Sequence, residues 1–187
     1  MRVIAGLAKG RRLLFPKGSK IRPAMDRIRE DIFNILGDSV QDNYILDVFA
    51  GTGSVGIEAL SRGAKSATFI ESNKKVFNTL LKNLDHTGFS ERAEVLNSDF
   101  RKCLAELSAK QRQFFFIFVD PPYQHNFLLM GLKKIVKGQL LHPAGLIIAE
   151  LHKNDVIDLT DLGLQLIRQK KYGQTNLQFI RIINENE

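Results

Sequence analysis

Residues 114–119 read Phe-Phe-Phe-Ile-Phe-Val, and Asp120-Pro121-Pro122-Tyr123 follows at once. Aromatic and β-branched residues favour strands. A strand with no polar face cannot turn one side to water, so it predicts the centre of a sheet covered by helices on both faces. The flanking sequence agrees. Strand-like runs at Tyr44–Phe49, Ser66–Ile70, Ala93–Leu96 and Gly145–Glu150 alternate with helical segments at Ser54–Arg62, Lys74–Thr87, Phe100–Ala109 and Phe127–Lys137. Such alternation implies parallel βαβ units. The end of the chain differs. Gly163–Lys171 and Leu177–Ile183 are strand-like, and Tyr172-Gly173-Gln174-Thr175-Asn176 between them leaves no room for a helix. They predict an antiparallel hairpin. The expected sheet is therefore mostly parallel, with one reversed strand near its edge.

Ahead of this body the pattern is looser. Gly6, Gly10, Pro16 and Gly18 interrupt the short apolar pieces Val3-Ile4-Ala5 and Leu13-Leu14-Phe15, which reads as a β-hairpin or an irregular arm. A helix is predicted from about Met25 to Leu36, because Met25, Ile28, Ile32, Ile35 and Leu36 recur at helical spacing. Asp26, Glu30 and Asp31 suit its early turns through the helix dipole. A length of 187 residues supports one domain with a substantial core. Residues 1–40 are expected to be a basic extension of the α/β body at 41–187.

Charge is concentrated in that extension. The chain has 27 basic and 20 acidic residues, of which nine basic and one acidic fall within residues 1–29. The remaining 158 residues carry 18 basic and 19 acidic groups, so the formal +7 resides in the extension. A dense basic arm on a near-neutral body points to a polyanion, above all nucleic acid; the competing role is a basic tail that only aids solubility. The single cysteine, Cys103, excludes an internal disulfide and a cysteine-based metal cluster and reads as a small buried side chain. His86, His125, His142 and His152 lack close ligand spacing, so no metal is expected. No apolar run approaches the roughly 20 residues that cross a bilayer. The first residues are not apolar enough for a signal peptide. A cytoplasmic protein without a membrane partner is expected.

Four features carry chemistry. Gly51-x-Gly53-x-x-Gly56 follows a strand and opens a helix, as a ligand-cradling turn does. Taken alone it also fits a dinucleotide fingerprint, so an NAD-type oxidoreductase is an alternative. Against that, the motif follows a basic preface of some 40 residues, and Asp47 stands four residues before the first glycine. Its carboxylate suits the cationic end of an amino-acid-like ligand. Glu71, at the end of the second strand, can accept ribose hydroxyls or simply lie on the surface. Asp99, after the third strand, can accept an adenine amine or cap the helix at Phe100. Asp120-Pro-Pro-Tyr is the decisive motif. Two prolines make a stiff turn, and its carboxylate leaves a buried strand where open α/β sheets bind ligands; the competing role is a structural turn.

At these residues the sequence resembles the class I methyltransferases that act on base amines. Ile4-Ala-Gly-x-x-Lys9-Gly-Arg11, Arg22-Pro23-x-x-Asp26-Arg27-x-Arg29-Glu30, Phe33-Asn34-x-Leu36, Gly56-x-Glu58-Ala-Leu-Ser-Arg62-Gly-Ala64 and Tyr172-Gly173-x-Thr175 narrow this to the RsmD family over essentially the whole chain. Ala24 and Asn73 depart from the family pattern, the first at an expected hydroxyl contact near the cofactor. The resemblance implies a Rossmann-like, seven-stranded sheet with one antiparallel strand, S-adenosylmethionine as cofactor, and methylation of the N2 amine of one guanine (nucleotide 966) in 16S ribosomal RNA. Asp47, Phe49, Gly51, Thr52 and Gly53 would flank the methionine part, Glu71 and Ser72 the ribose, and Asp99 and Phe100 the adenine. Asp120, Pro121, Pro122 and Tyr123 would face the target base, with Tyr123 stacked on it. Lys9, Arg11, Arg12, Lys17, Arg22 and Arg29 would meet RNA, within a small ribosomal subunit or its assembly intermediate, and the enzyme would act as a monomer. Two further alternatives stand beside this: an adenine-N6 or cytosine-N4 methyltransferase of DNA or RNA, and a non-catalytic RNA-binding protein.

Overall fold

A computed structural model describes residues 1–16, 23–122 and 126–183, with the side chains of 23–25 also outside the description. The expected contacts Lys17, Arg22 and Tyr123 therefore lie outside the described residues. Helix α1 (Pro23–Leu36) leads into β1 (Tyr44–Asp47), α2 (Ser54–Ser61), β2 (Ser66–Ile70), α3 (Lys74–Thr87), β3 (Ala93–Leu96), α4 (Phe100–Ala109), β4 (Phe114–Val119), α5 (Phe127–Lys137) and β5 (Leu141–His152). The hairpin β6 (Leu164–Tyr172) and β7 (Thr175–Ile182) ends the chain's described part.

The seven strands lie in the order β3-β2-β1-β4-β5-β7-β6. The Phe-rich strand β4 is the fourth of seven, at the centre. β1 to β5 pair in parallel, and β7 runs antiparallel to both β5 and β6. Alternation along β4 sends Phe116 and Phe118 into one core and Ile117 and Val119 into the other, and an irregularity between Phe114 and Phe116 puts Phe114 in the second core as well. The first core is closed by Ile28, Ile32 and Phe33 of α1, Ile57 and Leu60 of α2, and Leu80 and Leu84 of α3. The second is closed by Cys103, Leu104 and Leu107 of α4 and by Leu128, Leu132 and Ile135 of α5. Cys103 is an inert packing residue whose thiol is pushed up by burial.

β5 is longer than the expected Gly145–Glu150. Pro143 cannot donate to a ladder, which makes the sequence look broken there. The chain instead bulges between the pairs Phe114↔Leu141 and Phe116↔Leu146 and then resumes.

The N-terminal arm is irregular, with an isolated bridge between Arg2 and Arg12 as its only described pairing of that kind. Side chains of the body hold it. The fully buried Glu58 accepts the N–H groups of Ile4 (2.8 Å) and Ala5 (3.0 Å) and the Arg62 Nε (2.8 Å). Ser61 Oγ accepts the Ala8 N–H at 2.9 Å and donates to the Ala5 carbonyl at 2.5 Å. Asn83 Oδ1 accepts the Leu14 N–H at 2.7 Å, while its Nδ2 donates to the carbonyls of Leu14 and Thr52. Gly6 is required where the arm crosses α2: its φ is +79°, and a Cβ there would lie 1.8 Å from the Ser61 carbonyl oxygen.

Arg29 was expected on RNA, and the structure corrects this. It is 2% exposed. Its Nη2 donates to the Arg2 carbonyl (2.6 Å) and Asp26 (3.0 Å), and its Nε stands 3.6 Å from Glu58 Oε2. Net charge along a helix does not reveal which face it occupies, and Arg29 lies on the face that Phe33 buries. Removing one partner of a buried ion pair leaves an uncompensated charge and costs about 3–5 kcal/mol. Glu58→Ala is therefore expected to lower stability by about that amount in urea unfolding, and Arg62→Ala, at a more exposed partner, by clearly less.

Candidate active site

Four parallel strands carry a carboxylate at or near their carboxyl ends: Asp47 at the end of β1, Glu71 after β2, Asp120 after β4 and Glu150 two residues before the end of β5. Open α/β sheets bind ligands at these carboxyl ends. A cavity of about 320 Å³ lies there, lined by Asp47, Phe49, Gly51, Thr52 and Asp120 of the expected set. Glu150 and the arm residues Met1, Phe15 and Pro16 complete its wall. The arm, expected only to grip RNA, is thus part of the cavity.

The glycine turn has separate reasons at each position. Gly53 caps α2 at φ +86°, a left-handed conformation that a side chain rarely adopts, and a Cβ there would meet Leu80 Cδ1 at 2.2 Å. Gly56 packs against the Phe69 ring, where a Cβ would lie 2.2 Å from Cε1. Gly51 faces open space and its N–H donates to Glu71 Oε2 at 3.0 Å. Glu71 Oε1 accepts the Asn73 N–H at 2.6 Å. Each of its oxygens keeps a lone pair for a further donor. Ser72 is exposed beside it, its carbonyl held by Asn97 Nδ2. Asn73 caps α3 by accepting the N–H groups of Lys75 and Val76.

The structure gives Asp99 the capping role that the sequence left open. It caps α4, accepts the Arg101 N–H, and pairs with the Arg101 guanidinium at 2.7 Å. That pairing holds its carboxyl below the ordinary value. An adenine amine would share Asp99 with Arg101. Phe100 is buried, with its ring 4.9 Å from Phe49 and 5.6 Å from Phe127. Pro121 and Pro122 line a second cavity of about 630 Å³ on the other side of the ledge, with Phe127, Lys133, Val156 and Asp158. Glu150 borders both cavities. Lys9, Arg11 and Arg12 are exposed on the arm, and Arg11 Nη1 donates to the His86 carbonyl.

Two buried groups in the first cavity are left over. Asp47 Oδ2 and Arg29 Nη1 have no hydrogen-bond partner among the described residues, and both residues line the cavity. Desolvation raises the Asp47 carboxyl to about 7; Glu71 adds to this, while the backbone N–H groups of Gly56 and Phe49 oppose it. Asp120 meets solvent in the open cleft, yet desolvation by the surrounding protein, then Glu150 and Asp47, hold its carboxyl well above the ordinary range. Solvent in the cleft screens part of that effect. Glu58, Ser61, Asn83 and Glu150 had no assigned role in the sequence. Only Glu150 carried a usable signal, since it closes the apolar run 145–150 of the sequence, much as Asp47, Glu71 and Asp120 stand near the ends of theirs.

A seven-stranded sheet with one reversed strand, a glycine turn after its first strand and a carboxylate-Pro-Pro ledge after its fourth define the class I S-adenosylmethionine-dependent methyltransferase fold. The reversed β7 departs from the all-parallel dinucleotide fold, which sets the oxidoreductase alternative aside. The chain belongs to the family described as conserved hypothetical protein 95, the RsmD family of the sequence reading, whose model matches residues 1–181. It is 37% identical over 174 residues to ribosomal RNA small subunit methyltransferase D of Haemophilus influenzae, spanning 92% of this chain and 89% of that one. It is 35% identical over 174 residues to the protein of the same name in Escherichia coli K12, spanning 93% and 86%. The solved structure of the Escherichia coli protein yhhF superposes with a TM-score of 0.84 at 33% identity, over 98% of this chain and 99% of that one. No described helix is long and apolar enough to cross a membrane.

Asp47 has a consequence for the protein without ligand. An unfolded aspartate ionises near pH 4, whereas the folded group keeps its proton to about pH 7. Between these values the folded chain holds a proton that the unfolded chain has lost, so stability falls as pH rises through the window and levels off above it. Asp47→Asn carries no such loss. Its thermal midpoint is expected to exceed that of the wild type at pH 8, with the gap closing toward pH 4.

Proposed function

We propose that this chain transfers a methyl group from S-adenosylmethionine to the N2 amine of a guanine in small-subunit ribosomal RNA, nucleotide 966 by resemblance. The observation that carries this reading is one cavity onto which the glycine turn, Asp47 and the Asp120 carboxyl all open, with Pro121 and Pro122 lining the neighbouring cavity and Glu150 bordering both. The names of the relatives support ribosomal RNA as substrate.

The residues present fit the cofactor. Its methionine part bears an ammonium and a carboxylate, and the cavity offers one unpartnered anion, Asp47 Oδ2, and one unpartnered cation, Arg29 Nη1. Asp47 holds the ammonium, Arg29 the carboxylate and Glu71 the ribose hydroxyls. When bound, the cofactor supplies an electrophilic methyl group on a sulfonium.

The chain's own residues act on the acceptor. The lone pair of a guanine amine is delocalised into the ring, which makes the nitrogen a poor nucleophile. The Asp120 carboxylate and the Pro121 carbonyl accept its two N–H groups and return the lone pair to nitrogen. Preorganised acceptors also stabilise the positive charge that grows there. The raised proton affinity of Asp120 lets it hold the released proton. The stiff Pro121-Pro122 turn keeps this geometry without reorganisation. Tyr123 is assigned to stack on the base once it leaves its neighbours. The exposed Lys9, Arg11 and Arg12 bind phosphates. The enzyme works as a monomer in the cytoplasm on the small subunit or an assembly intermediate.

Incubation with labelled S-adenosylmethionine and small ribosomal particles that lack the modification, followed by mapping of the labelled base, tests the proposal; label on any other atom refutes it. Asp120→Ala is expected to reduce turnover by about 10²–10³ and to leave cofactor affinity in calorimetry unchanged. Replacing Arg11 and Arg12 together by Ala is expected to weaken RNA binding and flatten its salt dependence. An unchanged slope would leave the arm with its structural role alone.

A further inference from the structure

β5 continues past the level at which β4 ends, and this brings a second carboxylate to the ledge. Val119 and Ala149 are partners across the parallel strands β4 and β5. Asp120 and Glu150 each follow one of them, so they leave neighbouring strands at the same level. Alternation sends both toward the face occupied by Phe118 and Ile148. Asp47 is level with Phe118 and points the same way. Glu150 borders both the cavity with the glycine turn and the cavity behind Pro121 and Pro122. Thr175 Oγ1 donates to Glu150 Oε1 at 3.3 Å. Thr175 is fixed in turn as the first residue of β7, after the tight Gly173-Gln174 turn that joins it to Tyr172. Tyr172 itself donates to Asp31 of α1 at 2.6 Å. The late Tyr172-Gly173-x-Thr175 motif thus holds Glu150 in place.

Two adjacent carboxylates are unsuited to most base edges. Adenine and cytosine place a ring nitrogen with a bare lone pair next to their exocyclic amine. Guanine alone among the four bases places a second donor, N1–H, beside its amine. A carboxylate at Glu150 would repel the first arrangement and accept from the second.

We infer that Glu150 is the specificity residue of the site, accepting the N1–H of the target guanine while Asp120 accepts from its N2 amine. This rests on the guanine reading above and adds the group that distinguishes guanine from adenine and cytosine. A site built to pair with an N–H discriminates strongly against an analogue that lacks it, because the acceptor oxygen covered by the bound base then faces a lone pair in place of a donor. The mutual repulsion of Asp120 and Glu150 is relieved by the two neighbouring donors, and Thr175 keeps the side chain from turning away.

The test uses small-subunit RNA with guanine or 2-aminopurine ligated in at the target position and assembled into particles. 2-Aminopurine keeps the N2 amine but carries no hydrogen on N1. Wild-type enzyme is expected to methylate it at least about 10²-fold less efficiently than guanine. Glu150→Gln can donate to a bare N1 and accepts from guanine at one atom only. It is expected to lose activity on guanine, gain activity on 2-aminopurine, and cut the preference by at least about 10-fold, with cofactor affinity unchanged and the thermal midpoint not lowered. Equal wild-type rates on the two bases, or the same preference in Glu150→Gln, would overturn the inference. Should that variant fail to fold, Thr175→Val is expected to reduce the preference in the same direction, and an unchanged preference there counts against it. Absence of N2 methylation of guanine by the wild type would instead refute the underlying reading of the function.

Discussion

Glu58 sits with no exposure to solvent on α2, and three parts of the chain meet on its two oxygens. The arm supplies the N–H groups of Ile4 and Ala5, α1 supplies Arg29, and α2 supplies Arg62. A carboxylate so deeply buried is tolerable only with such a complement of donors. The arm therefore has a defined docking position although it forms no regular strand. Everything at the cavity mouth follows. Met1, Phe15 and Pro16 become lining, and Arg29 is turned from a surface cation into a buried one with an atom left over for a ligand.

The charge distribution of the folded chain is the reverse of what its net value suggests. The excess of positive charge is displayed on the outside of the arm, at Lys9, Arg11 and Arg12. The strand ends inside the cleft are acidic, at Asp47, Glu71, Asp120 and Glu150. Under the proposed function, phosphates are drawn to the first surface and repelled by the second, whereas base edges rich in N–H groups suit the second. Such a separation would orient a nucleic acid before any specific contact forms. Burial first, and neighbouring carboxylates after it, lift the proton affinities of Asp47 and Asp120 and strain the empty protein, a cost that is common where sites are preorganised.

Much of the architecture was legible along the chain. The bounds of β2, β3, β4, α3, α4 and α5 coincide with those read from hydrophobic periodicity, because each element has an apolar pattern set by its own period and local breakers at its ends. β5 was read short because Pro143 signals a stop that a bulge absorbs. Asp47 and Asp120 were legible as candidate residues because a carboxylate at the end of an apolar strand has few structural uses, and both line the cavity. Glu150 obeys the same rule, yet its meaning depends on which strand lies next to β4. Asp99 was ambiguous, since a helix cap and a ligand contact require the same residue in the same place.

By itself the sequence determined the central strand, the alternation that builds a parallel sheet, the terminal hairpin and the two motifs at the strand ends. These follow from short-range patterns, in which the burial of each residue is dictated by its near neighbours. Only the tertiary structure decided that Arg29 is buried, that Glu58, Ser61 and Asn83 clamp the arm, and that Glu150 stands beside Asp120. Those facts depend on contacts between residues some 30 to 70 positions apart, and no local periodicity encodes which distant partner a charged side chain will meet.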